Sequence, residues 1–230
     1  MIPIKDNIPT AGFPLVTVAL IVVNVIVYLL AVFHGGSLIS GPADHQLAKY
    51  GAVPHALTHN QARHGVPAWE TVFTSMFIHA SIVQLLVDML FLWIFGNTVE
   101  DSMGPAKFLA FYLVGGVAAL GLQVAIVPNS MSPTVSAESA VAAVLGSYVV
   151  LRPRGKVLTL VLIPFFFTVI EVPVVVMLVV WFVVQAVFAA AGLTTPGSTG
   201  AGAYFAHVGG FAFGALTVRA LATRRSAIVA

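Results

Sequence analysis

Cysteine is absent from this chain of 230 residues, and charged residues make up only 8% of it. Without cysteine the chain forms no disulfide and offers no thiolate to a metal. A soluble domain usually carries about 25% charged residues, because its surface must face water. The shortage of charge, beside 59% hydrophobic residues, therefore excludes an ordinary soluble domain and predicts a protein whose surface faces lipid.

Basic residues are also too few for a nucleic-acid-binding surface. The formal net charge is only +2, and the lysines and arginines do not cluster in a stripe. We therefore expect the lipid bilayer, and no nucleic acid, as a partner. No residue pattern gives a reason to expect a cofactor.

Long apolar runs predict six transmembrane helices, because a helix needs about 20 apolar residues to cross the hydrocarbon core of a bilayer. The predicted spans are residues 13–33, 72–95, 107–127, 135–151, 172–191 and 203–222. A further apolar stretch, 157–170, is short and contains Pro164. We interpret it as an interfacial or partly inserted cytoplasmic segment.

The basic residues predict the orientation of the spans. With six spans and a cytoplasmic N-terminus, only Lys49 and Arg63 lie outside, while Lys5, Lys107, Arg152, Arg154, Lys156, Arg219, Arg224 and Arg225 lie inside. The predicted fold is therefore an all-α, polytopic six-helix bundle forming one domain over residues 1–230. Both termini are cytoplasmic, and residues 34–71 form an extracytoplasmic loop.

The predicted loop is rich in histidine, with His34, His45, His55, His59 and His64. The i, i+4 spacing of His55 and His59 is compatible with two metal ligands on one helix face. A solvated loop that happens to contain histidines is the simpler interpretation, and we expect no metal site.

Ionisable residues within membrane spans are costly and usually functional, and the candidates here are Asp88, Glu138 and His207. Small residues, which let helices approach closely in lipid, occur on the fourth and sixth spans: Ser139, Ala142, Ala143, Gly146, Gly210 and Gly214. These two spans are therefore predicted to be in contact, with Glu138 and His207 as neighbours.

Several motifs, in order along the chain, resemble the bacterial pattern of the rhomboid family of intramembrane serine proteases. They are Met1-Ile-Pro-Ile-Lys-Asp-Asn, Ser75-Met-Phe-Ile-His, Gly96-Asn-Thr-Val-Glu-Asp-Ser-Met-Gly, Arg152-Pro-Arg-Gly-Lys-Val-Leu-Thr and His207-Val-Gly-Gly-Phe-Ala-Phe-Gly. The resemblance extends along almost the whole chain and implies the rhomboid bundle.

In active rhomboids a serine in a fourth-span G-x-S-G motif is the nucleophile and a sixth-span histidine is its base. A second-span histidine and asparagine help to bind the oxyanion. The resemblance places Glu138, within Ser136-Ala-Glu-Ser, at the nucleophile position, and Gln84 and Asp88 at the two oxyanion positions. His207 alone retains the family residue, so no catalytic residue is expected in this degenerate site.

Ser139, or failing that Ser136, is the fallback nucleophile if the motif is shifted. The family serine lies seven and eight residues before a Leu-Gly pair, and Glu138 has that spacing to Leu145 and Gly146. One residue along a helix is also a rotation of about 100°. Both observations favour Glu138 as the residue facing the histidine.

Three functions remain open from the sequence. The first is an inactive rhomboid-like protein of the cell membrane that binds transmembrane segments of partner proteins, as a scaffold or as a subunit of a complex. The second is an active intramembrane serine endopeptidase that uses Ser139 or Ser136 with His207. The third is a proton or cation site formed by Asp88, Glu138 and His207.

Overall fold

Helices dominate the computed structural model, which describes residues 2–10, 12–163, 166–194 and 203–223. The helices are α1 (Leu15–Phe33), α2 (Asp44–Tyr50), α3 (Pro54–Thr58), α4 (Ala68–Thr74), α5 (Ile82–Phe91), α6 (Asn97–Met103), α7 (Pro105–Ile126), α8 (Ala137–Leu151), α9 (Val174–Thr194) and α10 (Ala203–Leu221). The strands are β1 (Ile2–Asp6), β2 (Lys156–Ile163) and β3 (Phe166–Pro173). A 3-10 turn covers Ser75–Phe77, and a π-helical turn covers Leu92–Gly96.

Within the described residues, four helical segments are long and apolar enough to cross a membrane. They are Leu15–Phe33, Ile82–Met103, Pro105–Ile126 and Val174–Ala191. The predicted fourth span is a helix of only 15 residues, α8, about 22 Å long, which is shorter than the hydrocarbon core. These segments agree with a polytopic membrane protein.

Helix α8 lies at the centre of the bundle, since twelve of its fifteen residues are buried. It packs against α10 through small residues, as the sequence predicts. A Cβ added to Gly210 would collide with the carbonyl oxygen of Ser139, and one added to Gly214 would collide with that of Ala143. From the other side, Gly146 leaves room for the backbone of Phe211. The contact between the fourth and sixth predicted spans is therefore confirmed.

The second predicted span, 72–95, has the wrong bounds. The chain forms α4 and the 3-10 turn and then breaks at residues 78–81, and a new helix begins at Ile82, where Ser81 Oγ accepts a hydrogen bond from Gln84 N at 3.2 Å. This segment continues through the π-helical turn to Met103. The family motif that begins at Gly96 is therefore mostly helical.

The all-α prediction is wrong for residues 157–163 and 166–170, which belong to two antiparallel strands. Strand β2 pairs with β3 on one side and with β1 on the other, giving a three-stranded sheet of order β1-β2-β3. Valine, isoleucine and threonine are frequent here, and their branched side chains favour a strand over a helix. Pro164, which motivated the earlier interpretation, lies outside the described residues.

A buried carboxylate fixes the beginning of α1 against α6. Glu100 accepts hydrogen bonds from the backbone N–H groups of Val16 at 3.0 Å and Thr17 at 2.8 Å, and from the Thr17 hydroxyl at 2.8 Å. The first N–H groups of a helix have no partner within the helix and carry its positive dipole end. Glu100 supplies both the acceptor and the negative charge, so α1 is anchored at this point.

Candidate functional site

The N-terminal turn of α8 positions Glu138. Ser136, two residues before Glu138, is fixed to the 3-10 turn. Its N–H donates to Ser75 O at 2.8 Å, and the hydroxyl oxygens of the two serines lie 2.7 Å apart. Glu138 then falls in the first turn of the helix, where a carboxylate is favoured by the helix dipole. The local structure therefore directs an acidic group toward the neighbouring helices.

Glu138, His207 and Gln185 form a closed group that joins α8, α10 and α9. Glu138 Oε2 lies 3.5 Å from His207 Nε2, and Gln185 Oε1 lies 3.0 Å from His207 Nδ1. The Gln185 amide also points its Nε2 at Glu138 Oε1, at 3.5 Å. The sequence prediction that Glu138 and His207 are neighbours is confirmed.

The Gln185 oxygen determines which nitrogen of His207 carries a proton. An amide oxygen only accepts hydrogen bonds, so Nδ1 is the donor and Nε2 faces the Glu138 carboxyl. Two unprotonated acceptors would repel each other at this distance. The Glu138–His207 contact is therefore attractive only when a proton resides on Nε2 or on the carboxyl group.

A second acid–imidazole contact lies beside the first. Asp88 Oδ2 is 3.4 Å from His79 Nε2, and the two side chains are 3% and 0% exposed. Burial lowers the pKa of His79 from 6.5 to about 4, so its imidazole is uncharged at neutral pH and the contact is not an ion pair. The Asp88 and Glu138 carboxyl groups are close enough to interact electrostatically. The two contacts thus form one polar region, which is buried except for Glu138, whose side chain is 24% exposed.

Gln84, by contrast, is not brought to this region by any contact in the structure. Its side-chain oxygen accepts a hydrogen bond from Ala80 N at 2.8 Å, while its own N–H donates to Ser81 Oγ. These two bonds cap the beginning of α5, as in a capping box. The sequence grouped Gln84 with Asp88, but its side chain is used locally, because the helix begins at Ile82.

Neither fallback serine is hydrogen-bonded to His207. Ser136 Oγ pairs with Ser75 Oγ, and Ser139 Oγ is buried without a hydrogen-bond partner among the described residues. The Ser139 carbonyl faces Gly210 across the seam between α8 and α10. The Ser136 hydroxyl is therefore held by Ser75, and the Ser139 hydroxyl lies in the packed seam without a hydrogen-bond partner among the described residues.

Sequence reasoning missed Gln185 and assigned no site role to His79. Gln185 lies in an apolar run of α9, and an amide there was a usable signal, but only ionisable residues were considered. His79 falls inside the predicted second span, 72–95, but in the structure it precedes α5. Both residues contact the predicted acids, so they belong to the candidate site.

The predicted histidine-rich loop brings His55 and His59 together as stacked rings 4.1 Å apart, and His59 Nδ1 lies 3.0 Å from the His55 carbonyl oxygen. Across the part of the chain that the structure describes, no group of three or more histidine or carboxylate side chains is placed to hold a metal ion.

Comparison with known proteins shows that the polar region lies within a known protein domain. A sequence model of the Rhomboid domain matches residues 67–224, which is more than half of the chain. The chain belongs to the rhomboid family. This confirms the resemblance that the motifs carry, and the rhomboid match includes Asp88, Glu138, Gln185 and His207.

Two curated rhomboid relatives match parts of the chain. Presenilin-associated rhomboid-like protein A, mitochondrial, of Danio rerio is 30% identical over 92 residues, which are 39% of this chain and 24% of that protein. Rhomboid protease GluP of Bacillus subtilis (strain 168) is 28% identical over 145 residues, which are 62% of this chain and 26% of that protein. The match thus spans about a quarter of each relative's length.

Proposed function

We propose that this rhomboid-family membrane protein is catalytically inactive as a serine protease and binds transmembrane segments of partner membrane proteins. The observation that carries the proposal is the Glu138 carboxyl group, rather than a hydroxyl group, 3.5 Å from His207 Nε2. We further propose a single domain with six membrane spans and cytoplasmic termini, located in the cell membrane. Helices α8 and α10 supply the fourth and sixth spans.

The missing hydroxyl removes the first requirement of serine proteolysis, which is a nucleophile next to its base. Loss of the nucleophile typically lowers turnover about a million-fold in serine proteases. Glu138 occupies the place at the base, and the nearby serines have no hydrogen bond to His207. This arrangement supports an inactive site.

Asp88 adds a second, independent defect. An oxyanion hole needs hydrogen-bond donors that point at the developing negative charge. The resemblance to active rhomboids implies an amide donor at this position, whereas Asp88 is buried and interacts with the Glu138 carboxyl group. An ionised Asp88 would repel an oxyanion.

The weakly covered face of α9 supports the binding of a partner helix. Only 22% of the hydrophobic window of α9 is buried, the smallest share among the four candidate spans. Val180, Val183 and Val187 are more than half exposed, and the α5 side chains Val83 and Leu86 are also exposed. The rhomboid resemblance implies that substrate helices enter beside these two spans, so a partner segment is proposed to dock there.

Labelling with a fluorophosphonate probe tests the inactive site. The purified native protein should remain unlabelled, whereas the double variant Glu138→Ser/Asp88→Asn, which restores the family nucleophile and the oxyanion asparagine, should gain labelling that a further His207→Ala change removes. Ser139→Ala is the matched control and should change nothing. Labelling of the native protein that disappears in Ser139→Ala would establish the protease instead.

Site-specific crosslinking in the membrane tests partner binding. A photoreactive residue at Val183 on α9 should yield a discrete adduct with another membrane protein. The same residue at Leu216, which is 82% exposed on α10, is the control and should yield none. Equal, diffuse adducts from both positions would contradict a docking face on α9.

A proton or cation site is a second candidate, favoured by the adjacent pairs Glu138–His207 and Asp88–His79. Proteoliposomes that carry a pH-sensitive dye should then show a proton flux that Asp88→Asn abolishes. An unchanged internal pH in the native protein would remove this candidate.

A further inference from the structure

A cavity of about 640 Å³ lies between the C-terminal half of α1, the short helix α2 and the segment that leads to α5. Its walls are mostly apolar and include Val23, Val27, Leu30, Phe77 and Ile78. Of the candidate-site residues, His79 lines the cavity, whereas Glu138, Gln185 and His207 do not. The cavity is therefore separate from the Glu138–His207–Gln185 group, and its volume is in the range of typical small-molecule sites.

The apolar side of the cavity is continuous with a surface that faces lipid. Val23 and Leu30 are 42% and 52% exposed, and they belong to α1, one of the candidate membrane spans. A hydrocarbon chain from the bilayer can therefore lie along α1 and reach Phe77 and Ile78 without crossing water. Burial of such a chain against apolar side chains is favourable for each methylene group.

The other side of the cavity carries positive charge. Lys49 lines it together with His34 and His45, and no carboxylate is among the lining residues. The Lys49 ammonium lies 5.0 Å from the ring of Tyr50 and forms no ion pair with the described residues. An unpaired ammonium beside an apolar cavity at the end of a span is complementary to a phosphate group.

Hydrogen bonds hold the two sides of the cavity at a fixed separation. The Gln46 amide of α2 donates to the carbonyl oxygens of Ala31 at 3.1 Å and His34 at 3.3 Å, at the end of α1. Lys49 follows Gln46 by one turn of α2 and is thereby positioned relative to the wall of α1. The cavity is thus preformed.

We propose that this cavity binds an anionic phospholipid of the surrounding bilayer. One acyl chain lies between α1 and the Phe77–Ile78 segment, and the phosphate lies at Lys49. The proposal requires only that the protein is embedded in a membrane, so it is independent of whether the Glu138 site is catalytic and of partner binding.

Native mass spectrometry of the protein in neutral detergent tests the proposal, with phosphatidylglycerol and phosphatidylcholine of identical acyl chains as the probes. The native protein should retain phosphatidylglycerol about fivefold more than phosphatidylcholine, as expected for one lysine at an anionic headgroup. Lys49→Gln should abolish this preference. Val27→Trp, which fills the apolar part, should reduce retention of both lipids about equally.

Matched controls separate the cavity from general association with lipid. Lys107→Gln changes a lysine at the beginning of α7, and Val22→Trp changes an exposed α1 residue outside the cavity; both should retain lipid like the native protein. A preference that survives Lys49→Gln, or retention that is unaffected by Val27→Trp, would overturn the proposal. Retention of inorganic phosphate alone, lost in Lys49→Gln but not in Val27→Trp, would assign the site to a free anion and also overturn it.

Discussion

Helices α8 and α9 are held in the bundle in opposite ways. Helix α8 is short and nearly fully buried, and its backbone touches the backbone of α10 at Gly146, Gly210 and Gly214. Helix α9 is longer and mostly exposed, and the Gln185 amide links it to Glu138 of α8 and His207 of α10. The position of α8 is therefore determined by shape, whereas that of α9 depends on a few side chains.

Helix α1 is an intermediate case. It is nearly as exposed as α9, with 28% of its hydrophobic window buried, but Glu100 binds its N-terminus with three hydrogen bonds. The difference shows that a peripheral helix in this bundle can be fixed at one end by a carboxylate or left to weaker contacts. Helix α9 instead meets the Glu138 site through the Gln185 amide and packs against α10 through Trp181 and Phe182.

The largest effect is expected when the α8–α10 seam is opened. Gly214→Ala should destabilise the protein by about 3 kcal/mol, because the new Cβ meets the Ala143 backbone, which cannot move without displacing α8. Gly121→Ala is the matched control on α7, where a Cβ meets nothing within 4 Å, and it should be neutral or slightly stabilising. Thermal unfolding in detergent measures both. Equal melting temperatures would contradict the close seam.

A smaller, pH-dependent effect is expected at His79. Because folding lowers the pKa of this residue to about 4, the unfolded chain takes up the proton first as the pH falls. Its contribution is complete above pH 6.5 and is lost toward pH 4, by about 3 kcal/mol at most. His79→Gln, which cannot titrate, should flatten the stability profile in that window relative to the native protein. Parallel profiles would show that His79 is not buried as an uncharged group.

The anchor of α1 is expected to contribute somewhat less. Glu100→Gln keeps the shape of the side chain but removes the charge that caps Val16 and Thr17, so it should cost about 2 kcal/mol. Glu171→Gln breaks the exposed pair with Lys156 and is the control, with an expected cost of at most about 0.5 kcal/mol. If the two variants lose similar amounts of unfolding free energy in chemical unfolding, Glu100 does not anchor α1, and the contrast drawn between α1 and α9 is wrong.

The smallest change in stability is expected at Gln185. Gln185→Leu should cost about 1 kcal/mol but should increase amide hydrogen exchange along α9 selectively, because the helix loses its polar link to His207 and Glu138. Val187→Leu, at an exposed position of the same helix, is the control. Exchange that rises equally along α8 would show that Gln185 supports the whole bundle.

The sequence predicts the contact of α8 with α10 because small residues at helical spacing carry that information directly. It also predicts the Glu138–His207 neighbours, since each residue has a defined face on its helix. Apolar run lengths give the approximate positions of the spans, but not the break before Ile82, which depends on the cap formed by Ser81 and Gln84.

The remaining features depend on contacts between residues that are distant in the sequence. Gln185 meets His207 only after α9 folds back onto α8 and α10, and Glu100 reaches α1 from more than 80 residues away. The strands β2 and β3 were not predicted, because apolar runs of this length do not distinguish a strand from a helix. The hydrophobic periodicity of a sequence describes one helix or strand at a time, so it does not predict contacts between residues on different elements.

Strand β1 has a consequence for the order in which the protein is completed. Residues 2–6 leave the ribosome well before their hydrogen-bonding partners at residues 157–160. At about 5–20 residues per second, roughly 8–30 s of synthesis separate the two strands. Strand β1 therefore waits without this partner until helices α1–α8 have been synthesised, and its pairing with β2 then joins segments that are more than 150 residues apart.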